Sequence, residues 1–366
     1  MGNRPTRPST GHRAAVVTLV HGTFARDAPW TRPGSALSAA LRQVDCHVTQ
    51  FTWSGRNSHR ARSRGALALA EHLQQQVTEH PGATQWMIAH SHGGNVALHA
   101  ADRLRIARGG RTRATTVTLA TPFLHARART VTGWPLFIIA LFSAFVVVAT
   151  LGAAVAGPRS RVDTVTVVGG VAFTALLVLC IAGGVMHWRS LGRGWRGELV
   201  AAIHTPSTRP EETIVIRASG DEASGLLVAG QFVGWLSAVA TRLLSNLWLW
   251  AAVIGLTQFA VITADVAGRG GRLAISVLLY GFTGAGLAAL AAAVAMVGSA
   301  VVFGMDGPFV GLVASCSAEA APPGSATLLQ LEPRTAVTRS GLAHSSLYDD
   351  DQVINYIVSA VQASSR

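Results

Sequence analysis

Trp86-Met87-Ile88-Ala89-His90-Ser91-His92-Gly93-Gly94-Asn95 is the stretch that decides how this chain reads. Trp86 to Ala89 has strand character and runs straight into His90-Ser91-His92-Gly93-Gly94. A helix-like run from Asn95 to Ala107 follows. A serine between a strand and a helix, with Ala89, Gly93 and Gly94 around it, has the backbone room to turn sharply and hold its hydroxyl proud of a sheet. Ala89 stands where the commonest G-x-S-x-G pattern has glycine. Taken alone, such a match is a weak signal, and a plain serine in a glycine-rich turn is the competing reading. The surroundings give it weight.

Working outward, short apolar runs alternate with helix-like runs. Ala14 to Val20 and His47 to Trp53 read as strands, with Ala36 to Val44 helical between them. Ala61 to Val77 is a longer helix before the Trp86 strand, and Thr116 to Leu119 is a fourth strand. Further on, Thr213 to Arg217 and Thr327 to Leu331 read as strands, Leu226 to Leu244 and Asp350 to Ala363 as helices. Strands alternating with helices imply an α/β fold, a mostly parallel sheet covered by helices on both faces.

Two regions break this pattern. Gly133 to Pro158 holds no charged residue, and Thr164 to Trp188 has only His187 as a titratable group. Each exceeds the ~20 residues that span a bilayer core. The polar turn Arg159 to Asp163 joins them into a transmembrane hairpin. Leu243 to Ala264 and Leu273 to Met305 form a second hairpin, with Arg269 and Arg272 in its turn. The alternative, paired core helices, would not stay apolar on every face for so long. Six segments result: a flexible basic tail at 1–13, the first part of the α/β core at 14–132, hairpins at 133–188 and 243–305, and core segments at 189–242 and 306–366.

Composition agrees. Only 13% of residues are charged and 49% are hydrophobic, apolar for a soluble protein. The formal net charge is +12, and since the sequence has no lysine, arginine carries all of it. The arginines are scattered without a basic helix or interleaved aromatics, which argues against nucleic acid and for a basic surface against anionic lipid. Cys46, Cys180 and Cys316 fit no metal spacing. The apolar stretch after Arg13 is too short for a signal-peptide core, so the expectation is a multi-pass plasma-membrane protein with a cytoplasmic catalytic domain.

Acyl chemistry needs more than a serine. The tetrahedral oxyanion must be met by backbone N–H groups. The N–H of His92 is one candidate. The other comes from a loop after an early strand, where His21-Gly22-Thr23-Phe24 sits; the Thr23 N–H is the candidate there. His21, Gly22, His90 and Gly93 support the two loops.

With these residues in view, the chain resembles the α/β-hydrolase superfamily, and within it bacterial lipase-like or esterase-like members with a His-Gly-Thr-Phe loop. The likeness rests on His21 to Phe24, Phe51-Thr52-Trp53-Ser54-Gly55, His90 to Asn95 and Leu119-Ala120-Thr121-Pro122-Phe123. It covers roughly 14–125, 210–240 and 325–365, not the apolar runs. The resemblance implies a triad in the order nucleophile, acid, base: Ser91, Asp221 after the Thr213 strand, and His344 in the loop after the Thr327 strand. Histidine would take the serine's proton, and the carboxylate would fix the histidine tautomer. Glu222 and Asp306 are rival acids, and His204 is a rival base that precedes Asp221 and breaks the order. A metal held by His21, His90 and His92 is the competing site chemistry; the expectation is no metal and no cofactor. The function expected is hydrolysis of carboxylic esters, lipid or long-chain acyl, with acyl transfer, thioester hydrolysis or a catalytically lapsed membrane scaffold as alternatives.

Overall fold

The computed structural model describes residues 15–44, 46–107, 109, 114–129, 194–218, 222–246, 291, 294–306, 310–331 and 347–364. The basic tail, the apolar hairpin 133–188, most of the second hairpin, and two triad candidates, Asp221 and His344, lie outside these residues. The chain divides into two compact units. Met1–Ala126, Ala201–Gln231 and Ser317–Arg366 form the first; Arg127–Val200 and Phe232–Cys316 form the second.

The first unit is built on six parallel strands: β1 (Ala15–Val20), β2 (Cys46–Phe51), β3 (Thr84–His90), β4 (Ala114–Leu119), β6 (Thr213–Ala218) and β8 (Thr327–Leu331). Their order in the sheet is β2-β1-β3-β4-β6-β8. Successive side chains point to opposite faces of a strand, so one apolar run feeds two cores. Ala15, Val17 and Leu19 of β1, with Trp86 and Ile88 of β3 and Val117 and Leu119 of β4, pack on one face against α1 (Ala36–Leu41) and α6 (Asp351–Ser364) through Leu37, Leu41, Val353 and Ile357. Val20, Phe51, Met87 and Ala89 point the other way. They meet α2 (His59–Glu79) and α3 (His92–Ala107) through Ala66, Leu69, Leu73, Val96, Ala97 and Leu104. Leu69 and Leu73, fully buried, each contribute roughly 2 kcal/mol by area removed from water. Helix starts are fixed by side chains: Ser35 Oγ accepts from the Ser38 N–H, Ser58 Oγ from the Ala61 N–H, and Asp350 Oδ1 from Gln352. This is the α/β architecture that the alternation implied: a mostly parallel sheet with helices on both faces.

Besides the short helical turns at Pro29–Thr31 and Val310–Val313, β5 (Phe123–Ala128), β7 (Ala314–Glu319) and α4 (Trp195–Ile203) were not expected. β5 and β7 form a separate two-stranded sheet. Ala-Ser-Cys-Ser-Ala-Glu of β7 contains no β-branched residue, so pairing with β5 makes the strand, not local preference. Helix α3 starts at His92 rather than Asn95, and α5 (Glu222–Ser245) starts four residues before Leu226.

The second unit holds most of α5, a helical segment at 294–302 and a short turn at Val310–Val313. Gly311 lies so close to 294–302 that a Cβ there would stand 2.1 Å from the Met296 carbonyl oxygen. Buried Arg129 ties these pieces together, its guanidinium donating to the carbonyls of Gly311, Ala314 and Ser237 and to the hydroxyls of Ser237 and Thr241. Among the described residues, no helix is long and apolar enough to cross a membrane.

Candidate active site at the carboxyl ends of β1 and β3

The strand order places a crevice before any side chain is considered. From β1 the chain steps to β2 on one side, then returns past β1 to β3 and moves outward on the other side through β4, β6 and β8. The direction reverses between β1 and β3. Outside the carboxyl ends of such a pair lies the ligand crevice of an open α/β sheet. The residues there are His21-Gly22-Thr23 after β1 and Ser91 after β3.

Ser91 has φ 53°, in the left-handed region. The other described non-glycine residues with positive φ are Phe24 (59°) and Ala120 (47°). All three stand just past the carboxyl ends of β1, β3 and β4, which are adjacent strands. Each costs about 1–2 kcal/mol relative to ordinary backbone, and such strain gathers where geometry serves function. The turn is held from several directions. The Ser91 N–H donates to the Leu119 carbonyl at 2.9 Å; the Ser91 carbonyl accepts from the Gly94 N–H and from Thr121 Oγ1, each at 2.9 Å.

Three glycines make the turn possible by closeness rather than by flexibility. A Cβ at Gly22 would stand 3.0 Å from the Ser91 Cβ and the His90 carbonyl oxygen. At Gly93 it would stand 2.4 Å from the His21 carbonyl oxygen, and at Gly94 2.1 Å from Thr121 Oγ1. The loop after β1 and the first turn of α3 are therefore in backbone contact. His92 is the first residue of α3, where the helix dipole places partial positive charge. Thr23 Oγ1 is buried with no hydrogen-bond partner among the described residues.

His21 is a scaffold member. Its Nδ1 lies 2.8 Å from the Gly22 carbonyl oxygen, so Nδ1 carries the proton, and Nε2 accepts from the Trp53 N–H at 3.1 Å. The Trp53 indole returns a bond to the His21 carbonyl at 2.8 Å and stacks on the imidazole. Burial, outweighing the bonds to Gly22 and Trp53, lowers the His21 pKa and keeps the ring neutral. With both nitrogens engaged, His21 has no lone pair to offer a metal. Among the described residues no group of three His, Cys, Asp or Glu converges as a metal site would require.

His90 is buried and lies edge-on to Trp30 and Tyr348, which stack on each other with centroids 5.2 Å apart. This aromatic group is absent from the sequence reading. Trp30 belongs to the loop after β1 and Tyr348 to the turn before α6, and nothing local links them. Tyr348, four residues after His344 in the chain, thus packs against the residue next to Ser91. On the acid side, β6 ends at Ala218 and α5 begins at Glu222, with Asp221 between them outside the described residues. The rival base His204 sits elsewhere, accepting from the Ala126 N–H through Nδ1 at 3.2 Å and packing edge-on to His125.

A cavity of about 40 Å³ lies at the opposite edge of the sheet, lined by Asp102, Arg105, Thr116, Glu212 and Thr213. It has room for a water or two and does not touch Ser91. No family model matches this chain, and no curated protein matches it.

Proposed function

We propose that the chain is a membrane-anchored serine hydrolase of α/β-hydrolase type that cleaves carboxylic esters, with lipid or other long-chain acyl substrates, through an acyl-enzyme on Ser91. One observation carries the reading: strained, half-buried Ser91 sits at the switch point of the sheet, its turn packed against the loop that carries Thr23.

In this reading Ser91 Oγ attacks the acyl carbonyl while His344 takes its proton, and Asp221 holds the imidazole in the required tautomer. The N–H groups of His92 and Thr23 receive the developing oxyanion. His344 returns the proton to the leaving alcohol, and water then repeats the cycle on the acyl-enzyme. Reach supports the assignment. Strands lie ~4.8 Å apart, so the ends of β3 and β6 are ~10 Å apart. Asp221 follows Ala218 by three residues, and an extended chain covers ~3.3–3.6 Å per residue. His344 is four residues from Tyr348, which packs on His90. The uncharged runs of the sequence supply the membrane part of the proposal.

The test is labelling of the membrane-reconstituted chain by a fluorophosphonate, followed by a series of esters of increasing acyl length. Labelling at Ser91, lost in Ser91→Ala, is expected. Asp221→Asn and His344→Ala should lower kcat by ~10⁴. Absence of labelling at Ser91 in folded protein overturns the enzyme reading. A profile that is flat or falling with acyl length overturns the lipid substrate and leaves a tethered esterase.

A further inference from the structure

Two helices of the second unit turn large apolar side chains outward and small residues inward. Along α5 the buried positions are Gly230, Gly234, Ser237 and Ala240, a stripe of small residues at helical spacing. Large apolar side chains exposed on it include Phe232, Trp235, Leu236 and Leu243, at 59%, 60%, 40% and 44% exposure, with Phe232 and Trp235 stacked on each other. The helical segment 294–302 repeats this. Met296, Ser299 and Ala300 are buried, while Val294, Val301 and Val302 are 61%, 71% and 48% exposed. Beside the buried Met296, Phe303 and Met305, the interior holds polar contacts: the Ser237 and Ser299 hydroxyls meet at 3.2 Å, and the buried Arg129 guanidinium sits among Ser237, Thr241 and backbone carbonyls.

In water, large apolar side chains turn inward because their exposure is unfavourable. Between helices in lipid that drive vanishes. Small residues and hydroxyls then occupy the contact, and bulky apolar groups face the acyl chains. α5 follows the second rule, and 294–302 follows it except at buried Met296. The sequence around them is consistent with it: no charged residue lies between Glu222 and Arg242, and Leu243 to Ala264 and Leu273 to Met305 are uncharged. Arg242, exposed where the stripe ends, is placed for an anionic headgroup.

We propose that the face formed by Phe232, Trp235, Leu236 and Leu243 of α5, with Val294, Val301 and Val302, is a lipid-contact surface whose occupant is the acyl region of the bilayer. From Phe232 to Leu243 the stripe covers ~17 Å at 1.5 Å per residue, less than the ~30 Å hydrocarbon core. The surface is thus contact over part of the bilayer depth. It reassigns α5, which the sequence places in a water-facing segment. α5 begins at Glu222, the residue after the proposed acid Asp221.

This inference rests on the membrane part of the reading above. The test is photo-crosslinking of the full chain in nanodiscs of phosphatidylcholine and phosphatidylglycerol, with benzoylphenylalanine placed singly at 232, 235, 236, 237 or 243. Expected are adducts heavier by one lipid at 232, 235, 236 and 243, and none at 237. Exposed Leu67 on α2 serves as a water-facing control. Adducts with a second protein chain at 232 or 235, no lipid adducts there, or equal lipid adducts at 67 and 232 overturn it. A chain that leaves the membrane on alkaline carbonate extraction removes the anchored-protein reading itself. Membrane-bound chain without lipid adducts on α5 removes this inference alone.

Discussion

Gly93→Ala tests whether the contact between the Ser91 turn and the end of β1 sets the site. The added Cβ would stand 2.4 Å from the His21 carbonyl oxygen and 3.0 Å from the His21 carbonyl carbon and the Val20 carbonyl oxygen. That is about 1.0 Å short of the 3.4 Å at which ordinary contact begins. Every atom it meets is backbone, so no rotamer relieves the clash. β1 is paired on both sides, to β2 and to β3 through Val20↔Phe51 and Val20↔Ala89, and cannot recede alone. The start of α3 has to move, carrying the His92 N–H away from the loop of Thr23 by a comparable amount. Oxyanion donors act at about 2.7–3.1 Å, and a ~1 Å misplacement costs ~10²-fold in rate. The expected result is a ~10²-fold fall in both fluorophosphonate labelling of Ser91 and kcat/KM for an ester. Overpacking should also cost ~1–3 kcal/mol of stability, visible as a lower Tm in nanodiscs. Wild-type labelling together with an unchanged Tm would refute the argument, because the close approach would then position nothing.

Ser91→Gly should be more stable than Ser91→Ala by ~1 kcal/mol, since only glycine accepts φ 53° without strain; equal Tm values for the two inactive variants would contradict the strained turn. Burial, with Arg103 beside it, holds the His99 pKa down at about 4. The unfolded chain binds that proton near pH 6.5 and the folded chain only near 4, so stability should fall as pH drops through this window. His99→Gln should flatten that slope in urea titrations run at several pH values. Trp53→Phe removes the indole bond to the His21 carbonyl and should lower stability by ~1 kcal/mol; an unchanged Tm would show that the bond fixes nothing.

Much of the α/β core was legible because its strands are short apolar runs bounded by turn residues and its helices carry an apolar stripe. Leu69, Ala70 and Leu73 of α2 repeat at helical spacing on the buried face. Ala15 to Val20, buried along its whole length, reads as a central parallel strand. The turn at Ser91 was legible for a different reason: Gly22, Gly93 and Gly94 are each required by a close approach, and a serine among glycines at a strand end is what such an approach leaves in a sequence. Trp30 and Tyr348 were not legible, since their stacking joins segments more than three hundred residues apart. β7 was missed because a strand of Ala, Ser, Cys and Glu has no local preference to reveal it. The outward apolar face of α5 was not legible, because a run of apolar residues broken by glycine and serine gives its period but not which face the rest of the protein covers.

The register of the sheet constrains the inserted segments without any reference to their own structure. β4 and β6 are parallel neighbours, paired from Thr116↔Thr213 to Leu119↔Ile216, and β6 and β8 from Ile214↔Thr327 to Ala218↔Leu331. The chain between Ala120 and Glu212 is therefore one crossover of this sheet, and the chain between Ser219 and Ala326 is the next. Each leaves from the carboxyl edge and must return to the amino edge of a sheet that lies wholly on one side of any membrane. Any membrane crossings within a crossover must then be even in number. The uncharged runs obey this: two fall in the first crossover and two in the second. An odd number in either would have torn β6 or β8 from its neighbours. By the same logic Ser91, Asp221 and His344 belong to one compartment, because each follows a strand of the same sheet in the chain. A cysteine beside Arg161 and one beside His344 should therefore react with an impermeant thiol reagent from opposite sides of sealed vesicles. Labelling of both from one side would remove the first hairpin as a transmembrane element while leaving the sheet, and the serine at its switch point, untouched.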